Sequence, residues 1–128
     1  MKVLIDTHVL LWWLTDDSRL TPAVDALLRD PATDVFVSVA SLWEIGIKHA
    51  SGRLPLSKPP GAFLPDVLAA CRFETLPIRA PHAYAAAALP PHHKDPFDRM
   101  LIAQSLVEGL PVITDDPWFR PYGVEIAG

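Results

Sequence analysis

Four short apolar runs, separated from one another by helical segments, constrain the fold of this chain more than any other feature. They span Lys2 to Ile5, Asp34 to Val39, Phe73 to Ile78 and Pro111 to Thr114. A short, nearly unbroken apolar run is typical of a strand that is buried on both faces of a sheet. Strands that alternate with helices predict an α/β domain with a central, mainly parallel sheet.

Helix caps and prolines mark the segments between the strands. Thr21 and Asp95 each stand as an N-cap before a proline at the first helical position, and Gly109 supplies a left-handed stop. Val124 to Ile126 is a candidate edge strand, so we expect four to five strands. The predicted helices run from Thr7 to Leu14, Pro22 to Arg29, Ser41 to Ala50, Leu64 to Arg72, Pro81 to Leu89 and Pro96 to Glu108.

Composition predicts one compact domain over residues 1–128, since 50% of the 128 residues are apolar. The longest dense apolar stretch, Val9 to Leu14, is far shorter than the roughly 20 residues that cross a bilayer. No secretory signal precedes the first strand, so we expect a cytoplasmic protein that does not contact a membrane. Cys71 is the only cysteine, which excludes an internal disulfide bond, and its apolar neighbours indicate packing.

Four carboxylates, Asp6, Glu44, Asp98 and Asp116, occur where predicted strands end or helices begin. Asp6 and Asp116 follow the first and fourth strands, and Glu44 lies in the first turn after the second. In parallel sheets the carboxyl ends of the strands share one edge, where ligands bind. Asp98 begins the helix that returns to the fourth strand, so the loop Pro90 to Lys94 must bring it over the same edge.

A cluster of carboxylates is unfavourable unless protons or a cation separate the charges. Oxygen-rich clusters of this kind suit Mg²⁺ or Mn²⁺. The net charge is −4, and without these four acids the chain would carry 11 acidic and 11 basic residues. A bound cation would offset the negative charge of the site, so the acidity of the chain does not exclude a nucleic-acid substrate.

Three of the four acids also have a structural alternative as helix-capping or helix-dipole residues. Glu44 completes a Ser-x-x-Glu capping box, and Asp98 favours the dipole at the start of its helix. Asp115 or Asp116 could cap the turn that follows them. Asp6 has no evident capping role, and the shared edge of the sheet is what favours a site over four separate caps.

Further polar residues lie near the predicted site. Thr7 and Thr114 flank the two strand-end acids, and their hydroxyls could hold a carboxylate or a bound water in place. β-branched residues are equally common at strand ends without such a role. His92 and His93 lie in a proline-rich polar loop, where exposure to solvent is the favoured interpretation.

Four blocks of sequence occur in order over nearly the whole chain: Leu4 to His8, Ser38 to Ile45, Asp95 to Gln104 and Val112 to Asp116. Together they resemble the motifs of PIN-domain ribonucleases, and more narrowly those of the VapC toxins of bacterial type II toxin–antitoxin systems. The resemblance implies a three-layer α/β/α PIN-like domain.

The resemblance also implies an endoribonuclease that depends on Mg²⁺ or Mn²⁺. Its acidic set would be Asp6, Glu44, Asp98 and Asp116, with Asp6 and Asp98 foremost among the metal ligands. Asp115 and Asp116 both stand near the fourth position, and Asp116 fits the place after Thr-x. A homodimer and a cognate VapB-type antitoxin, whose C-terminal segment occupies the acidic groove, are further implications.

The sequence therefore predicts hydrolysis of RNA by a cation-activated water that attacks the phosphodiester in line. One alternative is a non-catalytic module whose acidic groove receives a basic partner peptide, although the presence of all four acids argues against it. Another is a phosphotransfer domain with Asp6 as nucleophile. Aspartyl phosphatases of that type carry a second aspartate two residues later, where this chain has His8.

Overall fold

A computed structural model describes all 128 residues. Strands β1 (Lys2–Ile5), β2 (Asp34–Ser38), β3 (Glu74–Leu76) and β4 (Val112–Ile113) form one sheet in the order β3-β2-β1-β4. Every pairing is parallel, with Val3 opposite Val35 and Ile5 opposite Ile113. The predicted mainly parallel α/β sheet is confirmed, and the candidate fifth strand is reduced to a single parallel bridge to β4.

Six α-helices connect these strands, and the capping residues predicted from the sequence begin two of them. The Thr21 hydroxyl accepts a hydrogen bond from the Val24 amide, and Asp95 accepts from the Phe97 and Asp98 amides. The helices are α1 (Thr7–Thr15), α2 (Pro22–Arg29), α3 (Val39–Ala50), α4 (Leu64–Ala70), α5 (Ala80–Ala88) and α6 (Pro96–Glu108), with 3-10 turns at Pro60–Ala62 and Pro117–Tyr122.

The sheet separates two apolar cores. Val3 and Ile5 point from β1 into the core that contains residues of α1 to α4, whereas Leu4 points into the core that contains residues of α6. This alternation follows from the period of two in a strand. The three-layer α/β/α arrangement is thereby confirmed. No helix is both long and apolar enough to cross a membrane.

Helix α3 begins earlier than the sequence indicated. Its N-cap is Ser38, whose hydroxyl accepts a hydrogen bond from the Ala40 amide at 3.0 Å. The prediction of a capping box from Ser41 to Glu44 is therefore wrong, and β2 ends at Ser38 instead of Val39. Ser38 takes the cap because its extended backbone at the strand end already has the conformation that an N-cap needs. Glu44 thus lies in the second turn of α3.

Strands β3 and β4 are shorter than predicted. The amide of Phe73 bonds to the Leu68 carbonyl at the end of α4, so it is not available to the sheet. Pro77 and Pro111 have no amide hydrogen to donate to a neighbouring strand. Local hydrogen bonding and proline therefore truncate both strands.

Candidate metal centre

The four predicted acids lie on elements that start at the carboxyl edge of the sheet. Asp6 and Asp116 follow β1 and β4, Glu44 is on α3, and Asp98 is the third residue of α6. Asp95 is the N-cap of α6, so the side chain of Asp98 does not cap the helix. Three of the four are nearly inaccessible, with relative exposures of 1% for Asp6, 3% for Glu44 and 7% for Asp98. Asp116 is partly exposed.

The pKa values show that these acids interact. Burial raises the pKa of Asp98 to about 7, with Asp6, Asp95 and Glu44 adding to the effect and His93 opposing it. Burial also raises the pKa of Asp6, and the nearby charge of Asp116 contributes in the same direction. The fold thus holds carboxylates close together with too little positive charge to balance them.

Two carboxylate oxygens in this cluster have no hydrogen-bond donor. They are Asp6 Oδ1 and Glu44 Oε1, both fully buried. The other oxygen of each is occupied: the Thr114 hydroxyl donates to Asp6 Oδ2 at 2.7 Å, and Lys48 Nζ lies 2.8 Å from Glu44 Oε2. A buried acceptor without a partner costs about 1–3 kcal/mol. Free carboxylate oxygens on two different elements fit a hard divalent cation such as Mg²⁺ or Mn²⁺.

Of the two threonines, Thr114 contacts the acids and Thr7 does not. Besides its bond to Asp6, the Thr114 hydroxyl accepts a hydrogen bond from the Asp116 amide at 3.0 Å. The Thr7 hydroxyl instead donates to Ser41 Oγ at 2.7 Å, which ties the start of α1 to α3. Thr114 is therefore placed to orient Asp6, whereas Thr7 has a packing contact.

The structure separates the two candidates for the fourth acid. Asp116 Oδ2 lies 3.0 Å from His93 Nε2, and Asp116 Oδ1 accepts a hydrogen bond from the Trp118 amide. Asp115 is exposed, and its charge helps to raise the pKa of Arg19 instead. The assignment of Asp116 to the site stays a prediction, but only Asp116 lies among the other acids.

His93 is the residue that the sequence interpretation missed. Solvent exposure was expected for both histidines of the loop, and this is wrong for His93. Its Nε2 lies 3.0 Å from Asp116 Oδ2 and 3.2 Å from Asp98 Oδ2, and its side chain is 14% exposed. His92 is exposed and packs edge-on against the ring of Tyr122. Adjacent loop residues carry the same local signal, so only their tertiary contacts distinguish them.

The loop that carries His93 is held from two sides. The Tyr122 hydroxyl accepts from the His93 amide at 2.6 Å and donates to the Pro90 carbonyl at 2.7 Å. The Arg99 guanidinium donates to four backbone carbonyls, those of Ala86, Leu89, Pro90 and His93. Arg99 therefore stabilises the loop and is not a free cation for a phosphate.

Three known proteins are similar to this chain in sequence or in fold. Ribonuclease VapC22 of Mycobacterium tuberculosis is 29% identical over 121 residues, which cover 94% of this chain and 91% of that protein. VapBC2 from Rickettsia felis, solved with a DNA fragment from its promoter, matches with a TM-score of 0.71 at 13% identity, covering 98% of this chain and 96% of that one. A toxin–antitoxin complex from Klebsiella pneumoniae matches with a TM-score of 0.60 at 17% identity, covering 89% and 86%.

The sequence itself matches the PIN domain family over residues 3–124. The likeness to the two solved structures concerns the fold alone, whereas the match to VapC22 is one of sequence over 121 residues. The resemblance to VapC-type PIN ribonucleases is confirmed. The chain belongs to the PIN domain family.

Proposed function

We propose that this protein is a Mg²⁺- or Mn²⁺-dependent endoribonuclease, the toxin of a type II toxin–antitoxin pair. The observation that carries the proposal is the pair of buried carboxylate oxygens, Asp6 Oδ1 and Glu44 Oε1, that have no hydrogen-bond donor. A divalent cation is the partner that their chemistry fits. The relative named as a ribonuclease, matched over 94% of this chain, indicates the reaction class.

Asp6, Glu44, Asp98 and Asp116 would hold the cation. When bound, it would lower the pKa of an attacking water and polarise the phosphodiester. Thr114 binds Asp6 Oδ2 and so leaves Oδ1 as the free oxygen. Lys48 pairs with Glu44 Oε2 and leaves Oε1 free. The burial of Asp6, Glu44 and Asp98 lowers the local dielectric and so would strengthen their interaction with a bound cation. Hydrolysis should leave 5′-phosphate and 3′-hydroxyl ends.

Two exposed tryptophans support a single-stranded substrate. Trp43 precedes Glu44 and is 63% exposed, and Trp118 is 58% exposed with its amide bonded to Asp116. Aromatic rings stack on unpaired bases, which contributes about 1–3 kcal/mol per base. RNA-binding proteins commonly stack such rings on the unpaired bases of RNA loops and single strands. Trp43 and Trp118 stand one and two residues from Glu44 and Asp116 in the chain, so we expect them to stack on bases that flank a phosphate bound at the acids.

An antitoxin partner is part of the same proposal. An apolar groove of about 620 Å³ lies between α3 and α4, lined by Leu42, Trp43, Pro60, Leu64, Leu68 and Phe73 among others. Trp43 lines this groove and directly precedes Glu44 in α3, whereas none of the four acids lines it. A VapB-type segment with apolar residues for the groove and basic residues for the acids would fit both surfaces. The homodimer and the cytoplasmic location remain predictions.

The test uses purified protein freed of any partner, with single-stranded RNA and either Mg²⁺ or Mn²⁺. Cleavage should require the cation and stop on addition of EDTA. Asp6→Asn should abolish cleavage. Asp115→Asn is the matched control, because Asp115 is an exposed acid next to Asp116, and it should retain activity.

Cleavage that persists in EDTA or in Asp6→Asn would reject the proposal. Tight binding of a basic peptide with no cleavage under any metal would favour the non-catalytic module instead. Mapping the product ends separates this hydrolysis from cleavage through the ribose 2′-hydroxyl, which leaves a cyclic phosphate.

A further inference from the structure

We infer that His93 is a positioning residue that clamps Asp98 and Asp116 at the spacing needed for a divalent cation. The inference rests on the proposed metal site and adds to it a residue outside the acidic set. His93 would act through the two carboxylates and would not touch the cation or the substrate.

The spacing of the three side chains supports the clamp. His93 Nε2 lies 3.0 Å from Asp116 Oδ2 and 3.2 Å from Asp98 Oδ2, and the three ligand-type atoms lie within 4.8 Å of one another. His93 Nε2 therefore makes a hydrogen bond to Asp116 and lies in close polar contact with Asp98, which stands 18 residues earlier in the chain. Two negative groups at this distance would otherwise repel each other.

The hydrogen-bond network assigns the proton of the ring. Nδ1 of His93 accepts from the Asp95 amide at 3.2 Å, so a neutral imidazole carries its hydrogen on Nε2, facing the two acids. Nε2 is then a donor and has no lone pair for a metal. This excludes His93 as a ligand in the observed arrangement and makes it a donor to Asp116, with its N–H side also facing Asp98.

The ring is held independently of the acids. The His93 amide donates to the Tyr122 hydroxyl, its carbonyl accepts from Arg99, and its ring packs edge-on against the buried Phe119. A cation that binds the acids would not need to displace a ring held in this way. Each carboxylate oxygen has more than one acceptor site, so an oxygen bonded to Nε2–H can still ligate a cation.

Hydrogen-bond partners of ligating carboxylates tune the metal affinity. Loss of such a partner typically weakens binding by about 10–100-fold. Removing the His93 ring should therefore weaken cation binding without removing any ligand. Gln offers an N–H donor on a side chain of similar reach and should restore most of the affinity.

The experiment measures Mn²⁺ binding directly, by calorimetry and by the electron paramagnetic resonance signal of free Mn²⁺, on the full chain. His93→Ala should bind about 10-fold more weakly than the wild type, His93→Gln should lie close to the wild type, and His92→Ala is the matched control. Cleavage by His93→Ala should recover at saturating Mn²⁺, because the defect lies in binding.

A wild-type affinity in His93→Ala would overturn the clamp, and a higher affinity would show that His93 competes with the cation. If the alanine variant does not fold, Tyr122→Phe provides a second test, since it removes the hydroxyl that holds the loop and should also weaken Mn²⁺ binding. Absence of Mn²⁺ binding in the wild type would reject the proposed function itself, an outcome distinct from failure of the clamp.

Discussion

The Thr114 hydroxyl donates a 2.7 Å hydrogen bond to Asp6 Oδ2, joining residues that are 108 positions apart in the chain. The contact exists because β4 and β1 are parallel neighbours, with Ile113 opposite Ile5, so the residues that follow them lie side by side. It occupies one oxygen of Asp6 and leaves Oδ1 without a donor. The orientation of the central acid is thus set by sheet pairing.

Replacing Thr114 with valine should weaken divalent-ion binding by about 10-fold, because Asp6 loses the donor that orients it. The pKa of Asp6 should rise further, since this hydrogen bond is the largest influence that lowers it. Mn²⁺ titration calorimetry measures the change. Thr15→Val is the control, as that hydroxyl bonds only to the Leu11 carbonyl on an exposed surface. Equal Mn²⁺ affinity in the Thr114 variant and the wild type would contradict this role.

Metal-free protein should become less stable as the pH rises from about 4 to about 7. Asp98 has a folded pKa of about 7 against 3.8 for the ordinary group, because of burial and the charges of Asp6, Asp95 and Glu44, partly opposed by His93. In this window the folded state keeps a proton that the unfolded state has lost, so the free energy of unfolding falls with rising pH. Above pH 7 this contribution becomes constant.

Urea unfolding in EDTA at several pH values measures this slope. The slope should be reduced in Asp98→Asn, which removes the charge at nearly constant shape. At pH 8 without metal this variant should be more stable than the wild type by about 1–2 kcal/mol. One pKa unit corresponds to about 1.4 kcal/mol, and solvent screening reduces the contribution of the Asp98 shift below that full conversion. It should also lose the stabilisation that Mn²⁺ gives the wild type. A pH-independent wild type would refute the argument.

His82 should be a stability residue without a part in the site. It is fully buried, its Nδ1 accepts from the Arg79 amide at 2.9 Å, and its Nε2 lies 2.8 Å from Glu108 Oε1. His82→Ala removes both contacts and leaves a cavity, which should cost about 2–4 kcal/mol. Urea unfolding compares it with His92→Ala, which removes an exposed ring and should change stability by less than about 0.5 kcal/mol. Similar losses in the two variants would refute the distinction.

Arg99→Lys should loosen the loop from Pro90 to Lys94, because a lysine cannot reproduce a planar fork that serves four carbonyls at once. Limited trypsin digestion should then cut after Lys94 faster than in the wild type. The conservative control is Arg53→Lys, an exposed arginine whose side chain bonds to Ser51. Unchanged cleavage after Lys94 would show that Tyr122 alone holds the loop.

Much of the fold follows from local signals in the sequence. Thr21 and Asp95 begin their helices as predicted, because an N-cap followed by proline satisfies the helix start from within a few residues. Gly109 ends α6 with a φ of 66°, a conformation that glycine adopts without steric cost. The edge that carries Asp6 and Asp116 follows from the alternation of strands and helices.

Other features depended on distant contacts. Ser38 and Ser41 carry the same capping signal, and the end of β2 at Ser38 decides between them. His92 and His93 share one loop, and the positions of Tyr122 and the acids decide that His93 is partly buried while His92 stays exposed.

The sequence by itself determined the α/β class and most helix starts, because these depend on residues near one another in the chain. It also predicted which acids form the site, and that assignment stays a prediction. Only the tertiary structure decided which acid oxygens lack donors, that Arg99 holds a loop, and that His93 meets Asp98 and Asp116. The physical reason is that a hydrogen-bond partner far along the chain leaves no mark on the local pattern.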